Sequence, residues 1–495
     1  MAIPDIEKTA ESSTSSVLSG PGEENISPAL VQRVEDLGLR IYDGDIVDWG
    51  SQSAAHPRNW PLRKKLCNTA CIFLLDSFRC VDSLDCALVF EICAVELIAA
   101  EPAAAEYGVS NAQSLIAVSL MYGLGEALGS IVIPPYTEAF GRKPTYLVAA
   151  FLLPISCLMT GTIHSVVGAY VGRFVMGATG SVSATVVVGS LEDMWESRAQ
   201  GWAIYAWVLT AGLGVALGRW LYIIGTIISS LILFLLLFST SETRSNVLLT
   251  QHLRTLQSPL RSPTPTHQIP TFRTFCRESI ILPLHLFITS PLILLTSTLA
   301  SLSFSLIFLF TEALPVILLP YNFTSTTYSL GFVAFAIGML IGIPVRVVEF
   351  RWLGRKEKER ELTPEDKIGG FVTGAGALVG GLWIMAWGTG VGVGWWLPML
   401  GLGALGLAAN EVEFALGGYL TDAYTTHAAS AFAAYSTLRA ILSGVFPLFA
   451  KHMYQELGVH VAGTILAAVA TAWLVTPWVL WRWGGRLRGM RRGVV

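Results

Sequence analysis

The feature that most constrains this chain is a series of long apolar runs that contain almost no charged residues. Three of them are Leu282–Phe310, Gly369–Trp387 and Val461–Leu480. A helix of about 20 such residues is long enough to cross the hydrocarbon core of a bilayer. Only 14% of the 495 residues are charged, whereas soluble domains carry about a quarter. The chain is therefore predicted to be an all-α, polytopic membrane protein.

Twelve helices can be placed by apolar length, six on each side of a polar stretch rich in Ser, Thr, Pro and Arg. They are predicted at residues 67–93, 112–134, 144–163, 166–190, 201–218, 220–239, 282–310, 328–348, 368–388, 395–420, 429–449 and 461–482. The predicted domains are a cytosolic tail at 1–58, an N-terminal six-helix bundle at 59–240, a cytosolic linker at 241–280, a C-terminal six-helix bundle at 281–483 and a basic cytosolic tail at 484–495. Within the first tail, "ISPALVQRVEDLGLRIY" could form a short helix.

The distribution of Lys and Arg indicates the orientation. With the N-terminus in the cytosol and every helix crossing, most of the 32 basic residues fall on the cytosolic side. Arg219 and Lys451 fall outside, and Arg79, Arg173 and Arg439 fall within helices. This asymmetry follows the positive-inside rule.

A short charged turn, "PYTEAFGRKP" at residues 135–144, separates predicted helices two and three. Gly141 permits a tight reversal, while Arg142 and Lys143 can bond helix-end carbonyls or acidic partners. Glu138 could pair with a base on another helix when the cytosolic side closes. We call a pair that forms and breaks in this way a latch. A basic loop that only obeys the positive-inside rule would have the same charges.

A weak internal repeat supports two related halves. The segment "FGRKPTY" at 140–146 has a counterpart, "LGRKEKE", at 353–359, and each follows the second helix of its half. Parallel repeats of six helices are typical of one large class of transporters.

At this turn the sequence resembles the major facilitator superfamily, and within it the twelve-helix drug:proton antiporters of fungi. The segment "SLMYGLGEALGSIVIPPYTEAFGRKPTYL" is similar to the second helix and following loop of that group. Further similarity lies in "HPRNWPLRKK", "YVGRFVMGATGS", "SLEDMWESRAQGWAIY" and the stretch from Gly418 to Leu466, so that it covers about residues 56–488. The resemblance implies two bundles that alternate access to a central cavity and export small organic molecules as protons enter.

Ionisable residues inside membrane helices are costly and are functional hypotheses by default. Arg173 matches a family arginine of the fourth helix, so the resemblance implies a role in proton or substrate coupling; a structural ion pair is the alternative. Glu126 could carry a proton, because burial favours the neutral acid, or could pair with a base. Glu411 and Glu413 are two residues apart, so we expect only one to point inward, and we favour Glu413. Arg439 could partner an acid across the bundle.

The cytosolic ends of the helices supply the candidate latches. These are Arg142 with Asp193, and Glu138 with a base elsewhere. Asp193 and Arg198 match the family's loop between helices four and five, so the resemblance implies a gating role for both.

Two regions depart from the family pattern. Predicted helix one contains "DSFRCVDSLDCALVFEICAVE". Its acids and its arginine would be costly in lipid, so either this segment faces a water-filled cavity or the chain here is not the natural one. The family's helix-five signature is half present, through Gly212, Gly214 and Gly218. After Gly218 the chain runs straight into Arg219, where the family continues with a proline and a further stretch. We expect a shortened hairpin or a single bent span near Arg219.

These features predict a secondary active transporter that exports a small organic compound, such as a drug, toxin or secondary metabolite, coupled to protons. A transport-inactive homologue and a polyamine or nutrient transporter remain alternatives. The chain has no His/Cys metal spacing and no nucleotide-binding loop, so we expect no enzyme activity, metal or cofactor. The expected partners are the substrate, protons and the lipid bilayer, with no nucleic acid, and the chain is expected to be monomeric. The expected location is the plasma membrane, with both termini cytosolic and a glycan acceptor at Asn322.

Overall fold

The fold is almost entirely helical. The structure is a computed structural model, and it describes residues 28–42, 46–50, 53–88, 104, 108–163, 165–217, 230–237, 239–255, 277, 281–321, 323, 330–360, 362–390, 392–424 and 428–489. Its main helices are α1 Pro28–Asp36, α2 Leu62–Leu88, α3 Asn111–Leu115, α4 Met121–Phe140, α5 Arg142–Thr162, α6 Val166–Met194, α7 Ser197–Leu217, α8 Ser245–Thr255, α9 Leu282–Thr289, α10 Pro291–Leu318, α11 Leu330–Lys356, α12 Gly369–Trp387, α13 Trp396–Ala423, α14 Ala428–Trp473 and α15 Thr476–Gly489. Two strands, β1 Leu39–Tyr42 and β2 Ile46–Trp49, form an antiparallel hairpin.

Within the described part of the chain, eight helical segments are long and apolar enough to cross a membrane. They begin at Asn111, Arg142, Val166, Pro291, Gly331, Pro364, Trp396 and Ala431. The prediction of an all-α membrane protein is confirmed, whereas the count of twelve helices stays a prediction. Part of predicted helix one is present as α2. Helix α2 contains too many charged residues to count among the eight apolar segments. Of predicted helix six, residues 230–237 are helical, and the shortened region at 218–229 lies outside the described residues.

Predicted helices eleven and twelve form one element, α14, with a non-helical residue inside it. Gly458 has φ 76° and ψ 161°, a conformation that side-chain-bearing residues rarely adopt. On either side of it the chain runs in opposite directions. In the first part Phe432 lies near Gly417 and Arg439 near Glu413, so this part is antiparallel to α13. In the second part Thr464 contacts Trp387 and Thr471 contacts Trp383, so this part is antiparallel to α12, and α12 is itself antiparallel to α13, since Gly370 lies near Glu411 and Gly388 near Leu397. One glycine thus joins two antiparallel helices.

The structure corrects two predicted boundaries. Predicted helix seven, 282–310, is broken at Ser290, whose hydroxyl bonds to the Tyr424 hydroxyl and whose successor, Pro291, begins α10. Proline favours the first position of a helix because it lacks the N–H that a preceding turn would use. Predicted helix eight, 328–348, continues to Lys356, so Arg346 lies ten residues before the end of the helix.

We call helices α2–α7 the N-terminal bundle and helices α9–α15 the C-terminal bundle, and the division of the chain into two bundles stays a prediction. In the first, a Cβ on Gly177 of α6 would lie 2.0 Å from the Tyr122 carbonyl oxygen of α4. In the second, a Cβ on Gly338 of α11 would lie 1.7 Å from the Gly403 carbonyl oxygen of α13. Small residues let helix backbones approach in this way in membranes.

The predicted tail and the predicted linker are not separate. Helix α1, the β1–β2 hairpin and α8 of the linker share a small apolar core, formed by Val34, Leu39, Val47, Leu249 and Leu253. The Trp49 indole nitrogen also donates a hydrogen bond of 3.3 Å to the Ser245 carbonyl oxygen. The segment in which the sequence allowed a short helix, residues 26–42, contains α1, but its last four residues form β1. Nothing local in the sequence shows that α1 packs against a helix two hundred residues later.

Candidate functional site

The two bundles meet along two helix pairs. At the first pair, a Cβ on Gly123 of α4 would lie 2.6 Å from the Ala440 carbonyl oxygen and 3.0 Å from the Gly444 Cα, both on α14. At the second pair, the rings of Trp202 on α7 and Phe350 on α11 pack edge to face with centroids 5.0 Å apart. Two clusters of buried charged side chains lie at or next to these pairs.

The first cluster of buried charges joins the bundles at α4 and α14. Arg439 Nη1 donates to Glu413 Oε1 at 2.6 Å, and its Nη2 lies 3.6 Å from Glu126 Oε1 of the other bundle. The Tyr435 hydroxyl donates to Glu413 Oε2 at 2.6 Å, and the guanidinium carbon is 4.5 Å from the centre of the Phe304 ring. We call Glu126, Glu413, Tyr435 and Arg439 the first network. One cation is shared by two acids, each on a different bundle.

Arg173 lies next to this network within the N-terminal bundle. Its side chain is buried, and Nη1 donates to the Met176 sulfur at 3.3 Å. The guanidinium carbon is 5.7 Å from the centre of the Tyr122 ring on α4, one turn before Glu126. The structure therefore places Arg173 and Glu126 on packed helices, α6 and α4, and brings Glu126, Glu413 and Arg439 together.

A second cluster of buried charges joins α11 and α13. Arg346 forms ion pairs with both Glu349 and Glu411, and all three side chains are buried. The Tyr205 hydroxyl of α7 donates to Glu411 Oε1 at 3.2 Å, so this cluster also reaches the N-terminal bundle. The Gly370 backbone N–H, at the start of α12, donates to Glu349 Oε1 at 2.8 Å. We call Tyr205, Arg346, Glu349 and Glu411 the second network.

The second network corrects the expectation that only one acid of α13 points inward. Glu411 and Glu413 do face different directions, but each direction leads to a buried arginine and to the other bundle. The second network was missed because Arg346, two residues before the predicted end of helix eight, was not among the candidate residues. The spacing of Arg346 and Glu349, three residues apart on one helix, is the sequence signal that could have revealed it.

The charged turn is held within the N-terminal bundle. Arg142 Nε donates to Asp193 Oδ2 at 2.5 Å, but both residues belong to that one bundle, at the ends of α5 and α6. The predicted contact between Arg142 and Asp193 is therefore present and joins neighbouring helices of one bundle, whereas its role as a latch stays a prediction. Glu138 is exposed, and no ion pair links it to another described residue.

An unpredicted acid, Glu242, closes this turn. Its carboxylate accepts hydrogen bonds from the backbone N–H groups of Arg142 at 2.9 Å and Lys143 at 3.1 Å, which are the free donors at the start of α5. It accepts two more from Thr243 and Arg244. Gly141, with φ 101°, leaves room for this carboxylate, since a Cβ there would lie 2.4 Å from Glu242 Oε2.

We expect the substitution Glu242→Gln to lower the stability of the folded protein by about 1–3 kcal/mol, because charge-assisted bonds to a helix start are lost. The measurement is thermal unfolding of the detergent-solubilised protein. Glu359→Gln, which removes an exposed acid, is the matched control. Equal unfolding temperatures for the two variants would contradict the capping role.

Arg198 supplies a contact between the two bundles. Its Nη2 lies 3.1 Å from Glu357 Oε2 in the C-terminal bundle, and both side chains are more than half exposed. Exposed pairs of this kind contribute little stability, so this bond can form and break easily. It fits the description of a latch better than Arg142 with Asp193 does.

The C-terminal bundle repeats the arrangement of the turn. Lys367 Nζ donates to Asp422 Oδ2 at 2.5 Å, at the end of α13, as Arg142 does to Asp193 at the end of α6. Lys356, from the repeated "GRK" segment, pairs with Asp366 at 3.0 Å. In both halves a base near the turn therefore holds an acid of its own bundle.

The remaining predicted site residues receive less structural support. Gly212 and Gly214 lie in α7, but the structure does not describe the side-chain surroundings of residues 211–217. Gly218 and Asn322 lie outside the described residues. In α2, Asp76 is buried and its Oδ2 lies 3.5 Å from the Thr210 hydroxyl of α7.

Comparisons with known proteins agree with this arrangement. The family model described as Major Facilitator Superfamily matches residues 95–447. The efflux pump radE of Floropilus chiversii is 28% identical, over 99% of this chain and 93% of that protein. The probable drug/proton antiporter YHK8 of Saccharomyces cerevisiae is 27% identical, over 77% of this chain and 78% of that protein. The crystal structure of the human organic anion transporter MFSD10 covers 84% of this chain and 100% of that chain with a TM-score of 0.55; at 15% identity it shows the fold alone.

Proposed function

Because this chain belongs to the major facilitator superfamily, we propose that it is a secondary active transporter that exports a small organic compound in exchange for protons. The names of its fungal relatives, an efflux pump and a drug/proton antiporter, support export and proton coupling. They agree with the resemblance to fungal drug:proton antiporters that the sequence motifs indicate. Both names describe transporters and not enzymes.

The observation that carries the proposal is the shared arginine of the first network. Arg439 is bonded to Glu413 of its own bundle at 2.6 Å and lies 3.6 Å from Glu126 of the other. Within the network two carboxylates share this one guanidinium, while the Arg173 guanidinium lies within the N-terminal bundle, on the helix packed beside Glu126. Binding of a proton to Glu126 would remove its charge and with it the attraction to Arg439 across the interface.

The two distances indicate which contact is released. The bond to Glu413 is short and reinforced by Tyr435, so Arg439 stays with the C-terminal bundle. The longer contact to Glu126 is the one that protonation weakens. Proton binding is thereby coupled to separation of the bundles at α4 and α14, as alternating access requires, and Arg173, on the helix packed beside Glu126, keeps a positive field near the proton site.

We assign closure of the other membrane face, opposite the contact between α4 and α14, to α7 and α11. The Arg198–Glu357 pair and the Trp202–Phe350 contact connect the bundles there. The basic residues of this side support a cytosolic location for it. We also propose that both termini lie in the cytosol and that the protein acts as a monomer in the plasma membrane. Asn322 then faces the outside and would carry a glycan, and a secondary metabolite or toxin is the substrate class that we propose.

The test is efflux from a yeast strain that lacks its own efflux pumps. Cells are loaded with a panel of fluorescent and toxic compounds, and retention is recorded with and without a proton uncoupler. We expect uncoupler-sensitive efflux in the unchanged protein and its loss in Glu126→Gln, which mimics a permanently protonated acid. Glu35→Gln, an exposed acid on α1, is the matched control and should export normally. Efflux that persists in Glu126→Gln with the same uncoupler sensitivity would remove the proton role of Glu126.

A further inference from the structure

The last helix, α15, continues the chain beyond the end predicted for helix twelve. It contains 14 residues, Thr476–Gly489, and includes part of what the sequence predicted to be a basic tail. It follows a turn at Leu474 and Val475, both of which are exposed. Its sequence, TPWVLWRWGGRLRG, combines three tryptophans with three arginines.

One face of α15 is fixed to the C-terminal bundle. Thr476, Leu480 and Gly484, spaced four residues apart, are buried. A Cβ on Gly484 would lie 2.7 Å from the Tyr419 hydroxyl and 2.9 Å from Glu365 Oε1. The rotation of the helix about its axis is therefore set by packing.

The opposite face carries exposed residues in a definite order. Trp478, Arg482 and Arg486 are exposed and follow each other at four-residue intervals, about 6 Å apart along the helix axis. Trp481 and Trp483 flank this line with 68% and 40% of their surface exposed. Along the helix the exposed surface thus changes from apolar, at Leu474 and Val475, to tryptophan and then to arginine.

This order is the one found where a helix leaves the hydrocarbon core and enters the headgroup layer. A second helix shows the same order at its cytosolic end. On α11, Trp352 is exposed and the Lys356 ammonium lies 3.8 Å from the centre of its ring. In two helices of the same bundle, an exposed tryptophan is therefore followed one turn later by a cation, and we place the membrane boundary at that tryptophan.

We propose that the exposed face of α15 binds the headgroups of anionic phospholipids in the cytosolic leaflet. Charge complementarity selects this partner, because Arg482 and Arg486 are held at headgroup depth by the packed face. Guanidinium groups bond phosphate and carboxylate oxygens in pairs. The sequence adds Arg488, Arg491 and Arg492 directly beyond them.

The test uses the full chain in nanodiscs of neutral phosphatidylcholine that contain a minor fraction of brominated lipid. Tryptophan quenching by brominated phosphatidylserine is compared with quenching by brominated phosphatidylcholine at the same fraction. We expect extra quenching by the serine lipid, and its loss in the Arg482→Gln/Arg486→Gln variant, with a preference that falls about five-fold per arginine removed. The three tryptophans of α15 remain in this variant, so only charge is changed.

Two further variants make the result decisive. Arg33→Gln/Arg40→Gln removes two exposed arginines from the N-terminal segment and should keep the extra quenching. Arg482→Lys/Arg486→Lys retains the charges and should keep most of it, and circular dichroism together with unchanged quenching by phosphatidylcholine verifies that each variant is folded. Equal quenching by the two lipids in the unchanged protein, or undiminished extra quenching in Arg482→Gln/Arg486→Gln, overturns the proposal.

Discussion

Replacing Arg439 by glutamine is expected to abolish transport and to destabilise the folded protein by about 3–5 kcal/mol, as the loss of one partner of a buried ion pair does. Without the guanidinium, Glu413 and Glu126 are left buried without the cation that they share. The two losses are measured separately, as uncoupler-sensitive efflux in yeast and as thermal unfolding of the purified protein. Arg439→Lys keeps the charge but not the paired geometry, and should retain more stability than Arg439→Gln.

The double variant Arg439→Gln/Glu413→Gln separates the structural role of Arg439 from its role in transport. It removes one positive and one negative charge from the C-terminal bundle, so much of the lost stability should return. Transport should stay absent, because Glu126 no longer has a cation across the interface. If the double variant regained efflux as well as stability, the contact between Arg439 and Glu126 would have no part in coupling.

The substitution Gly338→Ala is expected to destabilise the C-terminal bundle by about 1–3 kcal/mol or more, as overpacking does. The added Cβ would lie 1.7 Å from the Gly403 carbonyl oxygen, which is backbone and cannot turn away. Helix α13 must then move away from α11, and Glu411 must move away from Arg346. The expected readouts are a lower unfolding temperature and reduced efflux.

Gly376→Ala and Gly380→Ala are the matched controls, because nothing lies within 4 Å of a Cβ at either position. Alanine favours a helix over glycine by about 1 kcal/mol, so these variants should be as stable as the unchanged protein or more stable. A Gly338→Ala variant as stable as these controls would show that α11 and α13 are not in backbone contact.

The membrane class, most of the helices and half of the charged site could be predicted from the sequence. Long apolar runs fix the approximate position of α5, α6, α12 and α13, because a bilayer demands a minimum apolar length. Glu126, Glu413 and Arg439 stood out because each is charged within such a run. Their contact could not be derived, since it depends on how α4 and α14 cross.

The second network shows where apolar length fails as a guide. Helix α11 ends in a charged stretch, and a helix placed by hydropathy stops where the charges begin. Arg346 is nevertheless buried, because Glu349 on its own helix and Glu411 on α13 neutralise it. A charged residue that is satisfied by a partner far along the chain looks, in the sequence alone, like a residue in water. The same limit applies to α8 and the β1–β2 hairpin, whose shared core joins segments about two hundred residues apart.

The single glycine at the bend of α14 has a mechanical consequence. Gly458 joins two antiparallel helices without a loop between them. One helix therefore cannot be displaced without displacing the other. The first carries Arg439 against the N-terminal bundle, and the second leads directly to α15 on the far side of the membrane. If the proposed protonation of Glu126 displaces the first helix, we expect the second helix and α15 to move with it. Arg482 and Arg486 would then change their position against the lipid surface during the transport cycle.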